Sequence, residues 1–207
     1  MLRIYGYSAS INVRKVLWAC AELGLEYQRE DWGRSFRATS DPAFLALNPT
    51  GMVPVIDDEG IVLRESNTII RYLAASRGRG DLLPADPAAR ARIEVWMDWQ
   101  VSDFNNSWRY AFQALGRKNP AYQDTTGIEW SLADFTRQVG IVDAELARSG
   151  GHIAGPHFSL ADIPIGLSIQ RWRALPATKP SFVNVERYYD RLCEREGFCR
   201  FGRDGGP

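Results

Sequence analysis

Every segment that reads as a β-strand falls before residue 65, and from Asp86 onward the apolar residues recur only at helical spacing. That partition limits the chain to a small sheet unit followed by a helical body. Leu2–Gly6 is a short apolar strand. Val13, Val16, Leu17, Cys20 and Leu23 then share one helical face, and Gly24 supplies a left-handed stop. Glu26–Glu30 is a weaker strand. Asp41-Pro42 joins a cap to a first-turn proline and opens a short helix that ends at Asn48-Pro49. Val53–Asp57 is the next strand, Asp58-Glu59-Gly60 its turn, and Ile61–Arg64 the returning arm of a hairpin. Ser66 is expected to cap a helix carrying Ile69, Ile70 and Leu73.

The order is therefore βαβαββα. A β-α-β start requires a parallel pair, and the late hairpin adds an antiparallel extension. This is the thioredoxin-like arrangement, assigned to residues 1–76. Residues 77–86, RGRGDLLPAD, are rich in Gly, Pro and charge and read as a linker. Residues 87–207 are expected to form an all-helical domain, giving a fold class of α/β plus all-α. Asp86-Pro87 opens a helix whose stripe is Ile93, Trp96, Met97, Val101, Phe104, Trp108, Phe112 and Leu115. Residues 116–128 break it. Leu132, Phe135, Val139, Val142 and Leu146 mark the next helix, which Gly150-Gly151 ends. Ser159-Leu160-Ala161-Asp162 has the form of a capping box for a helix through about Leu175, with Asp162 structural. Asn184–Arg195 is the last long helix.

Lys+Arg and Asp+Glu are equal at 25 each, so the chain lacks the basic footprint of a general nucleic-acid binder. No apolar run is long enough to span a bilayer, and no signal-peptide block stands at the N-terminus. Three scattered cysteines, Cys20, Cys193 and Cys199, suit free thiols in a reducing compartment, so a cytoplasmic protein is expected. Cys20 falls on the core stripe. His152 and His157 lie in a Gly/Pro-containing loop and are expected to be exposed, and no His/Cys spacing makes a metal site.

Three features of the first 76 residues converge on chemistry. Ser10 stands at a strand-to-helix junction, where unpaired N–H groups and the helix dipole favour an anion, with Arg14 four residues on. Asn48-Pro49-Thr50-Gly51-Met52-Val53-Pro54 is a turn-rich loop whose Pro54 is a candidate for a cis bond. Such a bond would turn the Val53 N–H and C=O outward, where an extended peptide could pair with them. Glu65-Ser66 opens a helix, so Ser66 and the free N–H groups suit a carboxylate while Glu65 suits an ammonium. Glutathione offers all three groups.

The pattern S-x-x-x-R, N-P-x-G-x-V-P and E-S resembles that of soluble glutathione transferases, in the serine-type bacterial and theta-like branch. The resemblance covers nearly the whole chain. It implies that Ser10 hydrogen-bonds the glutathione sulfur, Val53 pairs with the cysteinyl part, Pro54 is cis, and Glu65 and Ser66 hold the γ-glutamyl end. Asn12 stands where relatives often have Pro, and either caps the helix or reaches the thiol. Met52 stands where relatives often place Gln or Lys, leaving Arg34 or Arg37 to meet the glycyl carboxylate. Tyr7 is the alternative to Ser10, because other branches use a tyrosine near the first strand. The second substrate is expected to be a small apolar electrophile in a pocket involving Tyr7, Trp108, Phe112 and Trp172. Asp103 is placed by analogy near a partner subunit's site. Glutathione is then a co-substrate with no tightly bound cofactor, and a homodimer is implied. Alternatives are a non-catalytic glutathione carrier and a glutathione-dependent dehalogenase, isomerase or peroxidase.

Overall fold

The computed structural model describes residues 1–205. Four strands, β1 (Leu2–Tyr5), β2 (Tyr27–Glu30), β3 (Val55–Asp58) and β4 (Ile61–Arg64), form one sheet in the order β2-β1-β3-β4. β1 runs parallel to β2, with Leu2 opposite Tyr27, and antiparallel to β3, with Ile4 opposite Ile56. β3 and β4 form the hairpin, with Val55 opposite Arg64. Three helices complete this domain: α1 (Ile11–Leu23), α2 (Pro42–Leu47) and α3 (Ser66–Ser76). The N-terminal domain is thus thioredoxin-like and the rest is helical. α1 ends at Gly24, whose φ of 63° lets its N–H bond back to the last turn. Asp41 caps α2 through the Ala43 N–H at 2.8 Å.

β3 starts at Val55, not Val53, because the Val53-Pro54 bond is cis and the preceding backbone leaves the ladder. Ser66 is the first residue of α3; the cap position belongs to Glu65, whose backbone takes the left-handed φ of 67°. Asp58 is buried on β3, where Tyr72 of α3 and Arg77 just after it donate to it at 2.9 and 3.0 Å.

The helical domain begins at α4 (Pro87–Trp99), capped by Asp86 through the Ala89 N–H. The helix continues unbroken through a wide π-turn at Gln100–Phe104, α5 (Asn105–Ala111) and a second wide turn at Phe112–Gly116. The first wide turn shifts the apolar register. Gln100 takes a fully buried place and Val101 is exposed, contrary to the simple stripe. α6 (Thr125–Ser149), α7 (Asp162–Ala174) and α8 (Val183–Cys193) follow. A short α9 (Glu196–Phe198), continued by a wide turn at Cys199–Arg203, was not legible as a helix. It covers the outer side of α1: Phe198 packs tilted against Trp18 with ring centres 5.0 Å apart. Gly197 is needed there, because a Cβ would come within 2.4 Å of the Trp18 ring. Arg195 clasps Glu22 of α1 with two hydrogen bonds, at 3.0 and 2.7 Å.

Asp162 is fully buried. One of its carboxylate oxygens accepts from Ile153 N at 3.0 Å and Tyr188 Oη at 2.9 Å. The other accepts from Ser159 N at 2.7 Å and Ser159 Oγ at 3.1 Å. The capping box therefore also ties α7 to α8 and to the 150s loop. His152, expected on the surface, is half-buried against Phe158 and Tyr188, because that loop folds back onto Asp162; His157 is exposed. Cys20 is buried, and burial pushes its thiol up to about 12, which removes it from thiolate chemistry.

Candidate active site

Ser10 is the N-cap of α1, yet its hydroxyl makes no capping bond. Its backbone closes the turn: Ser10 N donates to Tyr7 O at 3.1 Å and Arg14 N donates to Ser10 O at 2.9 Å. The hydroxyl is buried beside the open N-terminus of α1 and faces a cavity of about 400 Å³. Asn12 is the second residue inside the helix, so it is not the cap. Its Oδ1 accepts from Ser66 Oγ at 3.4 Å, which brings the N-termini of α1 and α3 side by side. Two helix termini in one place make a favourable anion environment.

Asn48 builds the next wall. It is buried, donates to Met52 O at 2.7 Å, and accepts from Thr50 N and Oγ1 at 3.1 and 2.8 Å. This clasp holds the loop so that Val53 lines the cavity. Neither the N–H nor the C=O of Val53 has a hydrogen-bond partner among the described residues. Met52 also lines the cavity and is exposed. Glu65 is exposed, in a backbone region that costs a non-glycine residue about 1–3 kcal/mol. Strain of that kind clusters at ligand sites.

The facing wall comes from the helical domain. Trp108 and Phe112 line the cavity, with ring centres 5.7 Å apart, and Tyr7 closes it from the sheet side. Tyr7 stacks on Phe36, and Arg34 lies 6.0 Å above its ring. The structure does not bring Trp172 to this cavity; it packs on Phe182 on the other side of α7. Arg37 also stays away, lying 3.8 Å over Trp32 and paired with Glu30. Arg171, Arg117, Arg109, Asn105 and Gln113 do line it, and sequence reading overlooked them. The signal was present: Arg171 stands four residues after buried Leu167, on the buried face of α7. A larger groove of about 750 Å³ between α5 and α6, bordered by Trp130, contains neither Ser10 nor Val53.

Beneath the site Lys15 is fully buried and donates to Gln100 Oε1 at 2.9 Å. Gln100 in turn donates to Asn105 and Ser168, both at 3.0 Å, so the amide joins three helices. Burial pushes Lys15 down to about 7, with Arg171 and Arg71 acting the same way and Glu65 opposing them. An unfolded lysine keeps its proton to about 10.4. The unfolded chain therefore binds more protons between those values, and stability rises with pH across that window. The penalty is complete below about pH 7. Urea midpoints at pH 7 and 9.5 should show this rise in the parent and a smaller one in Lys15→Met. Equal rises in the two proteins would contradict the assignment.

A family model described as "Glutathione S-transferase, N-terminal domain" matches residues 9–76, the stretch that contains Ser10, Val53 and Ser66. Glutathione S-transferase GstB of Escherichia coli K12 is 36% identical over 197 residues, covering 94% of both chains. Glutathione S-transferase 3 of Zea mays is 36% identical over 206 residues, covering 95% of this chain and 91% of the relative. Among solved structures, the theta class glutathione S-transferase of Xanthomonas axonopodis pv. citri, with glutathione bound, superposes with a TM-score of 0.91. It is 36% identical, covering 97% of this chain and 96% of that one. Full-length similarity of this order, on a fold that sets a serine at the head of α1 opposite a helical wall, places this chain in the glutathione S-transferase family.

Proposed function

We propose that this glutathione transferase holds reduced glutathione along the sheet-side wall and stabilises its thiolate with the Ser10 hydroxyl. The observation that carries this reading is the unspent Ser10 hydroxyl at an open helix N-terminus inside the cavity. In the proposed pose the cysteinyl amide pairs with the free N–H and C=O of Val53. The α-carboxylate of the γ-glutamyl end meets Ser66 and the N-terminus of α3, and Glu65 accepts from the α-ammonium. Asn12, linked to Ser66, holds the two termini together. The thiolate then attacks an electrophile seated on Trp108 and Phe112, and glutathione is consumed as a co-substrate.

A difference ultraviolet titration across pH tests this. The bound thiol should ionise one to two units below free glutathione, a shift that needs roughly 1.4–2.8 kcal/mol of preferential thiolate stabilisation. Binding without a shift would reduce the protein to a carrier. The same reading includes a homodimer. Its support is apolar surface on the edge strand β4, at Ile61 and Val62, and on α4 at Val95. Sedimentation equilibrium should give twice the chain mass of 23.3 kDa, and a monomer at micromolar concentration would rule the dimer out.

A further inference from the structure

We propose that the second-substrate side of the cavity is built for an electrophile carrying a carboxylate, held by Arg171 with Arg117 and Arg109. This deepens the reading above, since it takes glutathione to occupy the opposite wall.

Arg171 is 3% exposed and lines the cavity. Among the described residues it has no carboxylate partner, and its Nε is buried without a hydrogen bond. Its guanidinium lies 3.8 Å from the centre of the Phe112 ring and 4.3 Å from that of Trp108. Two aromatic faces stabilise the cation by less than its burial costs. Several half-buried arginines elsewhere meet carboxylates: Arg77 meets Asp58, Arg195 meets Glu22, and Arg71 meets Glu94 and Asp98, while buried Lys15 is met by the Gln100 amide. Arg171 has neither a carboxylate nor an amide partner among the described residues, and it lines a cavity.

The rest of the lining agrees. Arg117 and Arg109 border the same space, neither makes an ion pair among the described residues, and no Asp or Glu lines it. Burial, then the nearby Arg14 and Arg117, push Arg171 well below the usual guanidinium range, so a bound anion would relieve a charge the fold leaves uncompensated. A guanidinium does not release its proton at neutral pH, so it remains a two-pronged donor. A guanidinium held against two aromatic rings, which stand edge-to-face to each other, suits a small acid, because its fork meets a carboxylate with two parallel hydrogen bonds. An apolar pocket, as the sequence alone suggested, would have no use for three guanidinium groups.

Two pairs of compounds test this. Unreactive 3,5-dinitrobenzoate and neutral 3,5-dinitrobenzamide are titrated against tryptophan fluorescence, with and without S-methylglutathione. The carboxylate should bind at least tenfold more tightly. That preference should fall below about threefold in Arg171→Met and weaken in Arg117→Gln, whose exposed position keeps the fold intact if the buried variant misfolds. The reactive pair is 4-chloro-3,5-dinitrobenzoate and its amide. The glutathione sulfur bonds to the ring carbon, the carbon–chlorine bond breaks, chloride leaves, and the thiol proton passes to solvent. The ratio of kcat/KM, acid over amide, should exceed ten in the parent and fall in both variants, with glutathione affinity unchanged. Equal binding of acid and amide, binding of neither, or a preference that survives both substitutions would overturn the proposal. So would a loss of glutathione affinity in Arg171→Met, since the arginine would then hold the peptide. Carboxylate-selective binding by a protein that fails to bind glutathione would leave this inference standing and remove the transferase mechanism instead.

Discussion

Ser10→Ala is expected to lower kcat/KM for glutathione conjugation by about 10- to 150-fold and to leave the fold unchanged. The magnitude follows from losing one hydrogen bond to a charged sulfur, about 1.5–3 kcal/mol, at about 1.4 kcal/mol per factor of ten. The loss should reside in thiol ionisation. Without the hydroxyl the bound thiol pKa rises, so the acidic limb of the pH–rate profile moves to higher pH. Stability should hold because the hydroxyl makes no cap bond in the resting protein. The usual cost of replacing a capping serine, about 0.5–2 kcal/mol, comes mostly from a bond that is absent here. Turnover and urea unfolding of the same sample separate the two effects. Undiminished turnover would pass the role to Tyr7, which lines the same cavity, and Tyr7→Phe would then carry the loss instead.

Asp162→Ala is expected to cost about 3–5 kcal/mol of folding stability, the upper range for a single substitution. Four donors converge on this carboxylate from three parts of the helical domain, and the site is fully buried. Removing it strands the N–H groups of Ile153 and Ser159 with no water to replace it. Asp162→Asn should be nearly as damaging. Each carboxylate oxygen accepts from a backbone N–H, so whichever way the amide is turned its NH2 group meets another donor. In a chain of this length the melting temperature should fall by roughly 6–20 °C, at about 2–4 °C per kcal/mol. Urea denaturation of both variants checks this. An asparagine variant close to the parent would mean that the network repacks, and that the four bonds are not collectively required.

The first domain was the more legible because its signals are local. Gly24 stops α1, Asp41-Pro42 starts α2, and the Asp58-Glu59-Gly60 turn sets the hairpin, each through backbone preferences of a few neighbouring residues. Asp86-Pro87 and Ser159-x-x-Asp162 marked helix starts in the second domain for the same reason. The three clustered motifs also located the sheet side of the cavity, where Ser10, Met52 and Val53 face one space.

What the sequence left open depends on which way side chains turn in three dimensions. Two wide turns lie within the continuous helix from Pro87 to Gly116, and the first shifts the register, so Gln100 is buried and Val101 is not. No period of 3.6 counted along the chain anticipates such an offset. Trp172 and Arg171 are neighbours on α7, yet the helix sends the tryptophan to Phe182 and the arginine into the cavity. Arg37 is drawn off by Trp32 and Glu30. The sequence by itself thus determined the family, the fold and the residue types on the sheet side of the cavity, because these rest on local motifs and short-range backbone chemistry. The tertiary structure alone decided the character of the facing, helical wall. Its charge comes from Arg109 and Arg117, at the end of one helix, and from Arg171 of α7, which meets them only when the helices pack.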